Sequence, residues 1–185
     1  MKFIFGGIFM DKSLKIDLLK ALCSDLQSKC YCCVDGSGPS QNEIIITEGI
    51  ELIISGLESD SMEPINLTAK FFMDYAYDYE PLVKIIIKAE TVDDVIDNKT
   101  LLMWAAKSGY FYVAKILILQ DLDINQEILG YNALDYAYDN GHGIMSWLFF
   151  KLGSRLAGIR SEKTQSYLEE MPVPAGFASV LSALA

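Results

Sequence analysis

The chain has 185 residues, about half of them apolar, so it is long enough to bury a core and too apolar to be a disordered tail. Its net charge of −10 repels phosphate, which disfavours nucleic acid and anionic membrane as partners. The charge is uneven: between Asp35 and Val83 ten acidic residues stand against one basic residue, Lys70. That balance suits a partner protein with a basic surface, and it also serves solubility alone.

In chain order, Met1 to Asp11 is apolar but short, with no small-residue cleavage site after it. It reads as a segment packed onto the domain, with a weak signal peptide as the alternative, and it is too short to span a bilayer. From Ser13 an amphipathic helix is expected, with Leu14, Leu18, Leu22 and Leu26 every four residues and Leu19 and Cys23 beside them. Lys15, Lys20, Asp25 and Gln27 fall on its polar side; Asp11 or Ser13 caps it, and it ends near Lys29. Asp35 to Ser40 is a loop signal. Over Glu43 to Leu57, Ile44, Ile45 and Ile46 favour a strand by propensity, but Ile46, Ile50, Ile53, Ile54 and Leu57 keep helical spacing, and a helix is expected. A second loop follows at Glu58 to Ser61. Two short helices then come close together, one from about Asn66 to Asp78 and one opened by Pro81 and running to about Ala89.

That helix pair recurs. Thr100 to Tyr110 aligns with Asn132 to His142, so Leu102 falls on Leu134, Ala105 on Ala137 and Gly109 on Gly141, each pair 32 residues apart. Ile116 and Leu148 keep the same interval, as do Leu117 and Phe149. Asp74-Tyr75-Ala76-Tyr77-Asp78 is identical to Asp135-Tyr136-Ala137-Tyr138-Asp139, so a third, divergent unit precedes the other two. A period of this size is the sequence mark of a stacked helical array, because each unit exposes apolar faces that only a neighbour covers.

These residues resemble the ankyrin repeat, whose consensus has about 33 residues and a T-P-L-H-x-A signature. Thr100, Leu102 and Ala105 stand at signature positions, Gly109 and Gly141-His142 at the inter-helix turn, Gly130 at the hairpin glycine, and Asp123-Ile124-Asn125 at the segment leading into the hairpin. The family's proline is replaced by Leu101 and Ala133, and its histidine by Met103 and Asp135. The resemblance implies an all-α fold: a short repeat stack with divergent N-terminal helices and a C-terminal cap. The expected layout is a helical cap or docking segment over 1–60, repeats over 61–158 (units 61–96, 97–128 and 129–158), and a capping helix and tail over 159–185, with a helix from Ser161 to Met171.

The resemblance also implies that the chain binds another protein through hairpin tips and the outer side of each first helix. Carried over by alignment, the binding positions are Ile96, Lys99, Met103 and Lys107 in one unit, with Asp97, Asn98 and Ser108 beside them. Ile128, Leu129, Tyr131, Asp135, Asp139 and Asn140 follow in the next unit, and Asp74 and Asp78, with Tyr79, in the divergent one. Apolar residues at a loop tip point to contact with a partner or with a neighbouring unit. Asp74, Asp78, Asp135 and Asp139 would form an acidic stripe interrupted by Lys107.

No enzyme motif emerges. His142 is the single histidine and sits at a structural position of the family, Glu169 and Glu170 are adjacent and so face different ways on a helix, and Gly36-Ser37-Gly38 lacks the Lys-Ser/Thr of a phosphate loop. The expectation is a non-enzyme with no cofactor, metal or small-molecule substrate. The alternative is a metal- or thiol-dependent enzyme using Cys30, Cys32 and Cys33. Cysteines confined to one region of a chain with a real core read as reduced thiols in a cytoplasmic setting. Some bacterial and viral ankyrin proteins act on host machinery or neutralise a toxin. Glu169-Glu170 ahead of a small apolar tail resembles a type IV secretion signal, so a secreted effector in the host cytosol is a further expectation.

Overall fold

A computed structural model of the chain describes residues 9–31, 41–59, 81–91, 94–120, 122–157 and 162–173. Among them every regular element is helical: α1 (Lys12–Tyr31), α2 (Gln41–Glu58), α3 (Pro81–Lys88), α4 (Leu101–Ser108), α5 (Phe111–Ile118), α6 (Ala133–Asp139), α7 (Gly143–Lys151) and α8 (Glu162–Glu170). The fold is all-α, as expected. Two compact units are distinguished, Met1–Asp94 and Val95–Ala185, and the division falls inside the expected 61–158 region. The expected loop at 35–40, the helix at 66–78 and the tail from Gly176 lie outside the described residues.

In the first unit α1 packs on α2 and α3. Asp11 starts α1 by accepting the Leu14 backbone N–H at 2.8 Å, the N-cap geometry that satisfies one of the helix's open donors. Leu18, Leu19, Leu22, Cys23 and Leu26 are buried, as their spacing predicts. Asp25 corrects the expected polar side: it is buried, because contacts on two flanks leave α1 a wider covered face than its leucine stripe alone. In α2 the helical set Ile46, Ile50, Ile53 and Ile54 is buried while Ile44 and Ile45 are exposed, so period outweighs β-propensity.

Met10 donates its N–H to the Glu90 carbonyl at 2.8 Å, which ties the start of the described chain to the segment after α3. Lys15 donates to the Ile87 carbonyl at 2.9 Å, in the last turn of α3 where the helix dipole favours a cation. Burial lowers the Lys15 pKa, an effect that the nearby Glu90 and Asp94 carboxylates partly oppose.

The second unit holds two helix-turn-helix layers: α4 packs on α5, α6 on α7, and α4 on α6. Ala105, Ala106 and Ala137 are fully buried where the paired helices approach. Trp147 and Phe149 of α7 are completely buried, each contributing about 2–3 kcal/mol of transfer free energy. After α7, α8 packs on the same layer, with Leu168 buried, and ends before Pro172. Ser161, expected as its cap, lies outside the described residues. Among the described residues no helix is long and apolar enough to cross a membrane.

Candidate protein-binding surface

The two hairpin tips are built identically, 32 residues apart. Ile96 and Lys99 exchange backbone hydrogen bonds at 2.9 and 3.1 Å, and Ile128 and Tyr131 do so at the same two distances. Such a two-residue turn needs positive φ at both central positions. Asp97 (φ 52) and Asn98 (φ 57) supply it in the first tip, Leu129 (φ 55) and Gly130 (φ 78) in the second. Asp and Asn tolerate this region; leucine does not, at a cost of about 1–2 kcal/mol. Leu129 is nevertheless there, and it is 80% exposed. Tyr131 beside it is 42% exposed, while Ile96 and Ile128 are half-buried.

The first helices start from matched caps. Thr100 Oγ1 accepts the Met103 N–H at 3.2 Å. Asn132 Oδ1 accepts the Asp135 N–H at 3.1 Å, and Asp135 Oδ2 accepts the Asn132 N–H at 3.0 Å, closing a reciprocal capping box. Asp135 Oδ2 also accepts the Ala157 N–H at 3.0 Å, and Asn132 Nδ2 donates to the Arg155 carbonyl at 2.6 Å. Arg155 N–H in turn donates to Asn125 Oδ1 at 3.1 Å.

These contacts correct two expected binding positions. Met103 is 1% exposed and Asp135 is fully buried. Both sit at the third helical position, where the cap and the contact between α4 and α6 enclose them. Only the first position of each stripe changes: Trp104 takes the place of Met103 ahead of Lys107 and Ser108, and Tyr136 that of Asp135 ahead of Asp139 and the cap residue Asn140, at i, i+3, i+4 spacing, with Trp104, Ser108 and Tyr136 half-buried. Lys107, Asp139 and Asn140 are exposed. Asn140 also bonds inward, donating from Nδ2 to the Tyr136 carbonyl at 2.8 Å. With Asp135 buried and Asp74 and Asp78 outside the described residues, the acidic stripe reduces here to Asp139.

In its place lies an aromatic and basic cluster. Trp104 Nε1–H donates to the Ile96 carbonyl at 3.1 Å, anchoring the indole against its own hairpin. Lys99 Nζ lies 4.9 Å from the Trp104 ring centre and 5.5 Å from that of Tyr136, and Lys107 Nζ lies 5.4 Å from Trp104. The Tyr131 and Tyr136 rings are 5.5 Å apart. Burial, with the Tyr131 and Asp135 side chains nearby, pushes the Tyr136 phenol upward from its ordinary pKa. Trp104 and Tyr136 were not among the alignment-derived positions. The signal available for them was an aromatic at the same place in two successive units.

Of the groups weighed for chemistry, His142 lies within the described residues. His142 Nε2 is 3.0 Å from the Lys107 carbonyl, and since a carbonyl only accepts, this nitrogen carries the proton. Cys23 is buried, and burial followed by the Glu51 charge pushes its thiol up to about 11, the opposite of an activated nucleophile. Among the described residues no three His, Cys, Asp or Glu side chains gather as metal ligands do. The side chain of Cys30, and Cys32 and Cys33 altogether, lie outside the described residues.

Residues 72–157 match the family described as ankyrin repeats, in three copies. Together with paired helices and identical hairpins at a 32-residue interval, this identifies the repeats. The chain carries an ankyrin-repeat array over these residues. Its repeats carry a non-proline first turn, Leu101 and Ala133 taking the family's proline position, and the turn is held by the Thr100 and Asn132 caps. No curated protein and no solved structure matches the chain. Ankyrin repeats are modules for binding other proteins, and the fold of this array is consistent with that class of work.

Proposed function

We propose that the chain binds a partner protein through the hairpin tips and outer first-helix stripe of its ankyrin array. Leu129 carries the reading: an apolar side chain is held 80% exposed, on a backbone conformation unfavourable to it, at the tip of a turn where glycine or asparagine would be less strained. Tyr131, Trp104 and Tyr136 add aromatic area beside it, the residue types that dominate interface energetics. Masking, recruiting or inhibiting the partner all follow from such a surface without catalysis.

The test is capture of partners by the intact chain and by a Leu129→Asp, Tyr131→Ala variant. Loss of specific partners from the variant supports the assignment; equal recovery by both removes it. Alkylation of the cysteines, expected to leave capture unchanged, separates binding from the thiol-dependent alternative. The finer role, an effector or immunity-like protein working in a cytosol, rests on the resemblance and on Glu169-Glu170, both exposed at the end of α8. A tagged chain that never reaches the cytosol of a second cell would remove the secreted form of this role.

A further inference from the structure

We infer that the surface around Trp104 takes a short acidic segment of its partner, with one or two carboxylates seated against Lys99 and Lys107. This rests on the binding function proposed above and names the chemistry of what is bound. In a chain of net charge −10, two ammonium groups are gathered on one indole. Among the described residues the ion pair within bonding distance is Lys20 with Glu58, in the other unit, so neither lysine is held by a carboxylate in this way. Lys99 makes one long hydrogen bond, 3.4 Å to the Asp97 carbonyl, which leaves most of its donor capacity unused.

Holding a lysine over an aromatic ring restricts its rotamers before the partner arrives. An incoming carboxylate then meets a partly ordered ammonium and orders less on binding. The indole is itself fixed at its edge by the Ile96 carbonyl, so the platform does not turn away. Leu129 and Tyr131, at the next tip, supply the apolar part of the contact.

Asp97, two residues before Lys99, and Asp139, three residues after Tyr136, are both exposed. They limit what fits. A long polyanion such as nucleic acid, or a charged membrane, would meet these carboxylates and the net negative charge of the chain. A peptide with one or two carboxylates stays within about a Debye length of the lysines, roughly 8–10 Å.

The experiment selects a random dodecapeptide display library on the full chain, in parallel on a Lys99→Gln, Lys107→Gln variant whose helical spectrum and urea midpoint match the parent. The expected pool on the parent is enriched in Asp and Glu. The leading peptide, synthesised and titrated, should bind the variant at least about tenfold more weakly and lose affinity as salt rises. A Lys107→Glu variant should prefer less acidic peptides. A neutral or basic pool, no enriched pool, or binding unchanged within about twofold by the double variant overturns the inference. A peptide pool that depends on Leu129 and Tyr131 but not on the lysines overturns it while leaving the binding function standing; a pool dependent on neither removes both. Lysine-dependent binding of an oligothymidylate in place of acidic peptides would assign the cluster to phosphate and also overturn it.

Discussion

His142 stands in the space that a side chain at Gly109 would need. A Cβ built on Gly109 would lie 2.6 Å from His142 Cε1 and 2.7 Å from Nδ1, while His142 Nε2 reaches the Lys107 carbonyl at 3.0 Å. The turn of one repeat thus holds the turn of the repeat before it. Gly109 is needed twice over, for this approach and for its φ of +73.

Gly109→Ala is therefore expected to destabilise the array by about 2–3 kcal/mol, combining left-handed strain with displacement of the imidazole. Urea denaturation measures it. In the His142→Ala background the steric part disappears, so the same substitution should cost about 1 kcal/mol. Additive effects of the two changes would show that the ring and the glycine do not interact.

Asp135→Ala removes the acceptor shared by the Asn132 and Ala157 N–H groups, leaving buried donors unsatisfied. A loss of roughly 2–4 kcal/mol is expected, visible as a lower urea midpoint, with partner binding per folded molecule unchanged. Asp135→Asn keeps an acceptor oxygen and should recover part of that loss. If Asp135→Ala folds as stably as the parent but no longer binds, the residue belongs to the interface after all.

Leu129→Asn should act in opposite directions on stability and on binding. Asparagine tolerates the φ of 55 that leucine resists, so thermal unfolding should shift upward, by an amount equivalent to about 0.5–1 kcal/mol. Partner capture should weaken because the exposed apolar tip is gone. A variant that is more stable and binds as before would show that the strain has no function.

Cys23 is expected to resist alkylation. With its thiol pushed from 9.0 to about 11, the thiolate fraction near pH 8 falls about 100-fold, and burial blocks access further. Timed iodoacetamide labelling followed by peptide mass analysis checks this. The same shift fixes a sign for stability. The folded state keeps a proton that the unfolded state releases above 9.0, so the contribution of Cys23 declines as pH rises from 9.0 towards 11.

Asp25, Met103, Asp135 and Trp104 divide what was legible in the sequence from what was not. Amino-acid order alone was enough for the 32-residue interval, the two helix pairs, the hairpin between Ile128 and Tyr131 and the turns at Gly109 and Gly141, because caps, left-handed glycines and helical period act over fewer than ten residues. Which side of a first helix meets solvent is a different kind of fact. α4 is covered on one flank by α5 and on another by α6, and the sum of those two contacts encloses Met103 and leaves Trp104 at the surface. Alignment to the repeat placed Asp135 on the outer side; it is buried because Asn132 and Ala157, one of them 22 residues away, bring their N–H groups to its carboxylate and offset the cost of enclosing it. Periodicity describes one helix against an undefined interior, and only the stacked neighbours define where that interior lies.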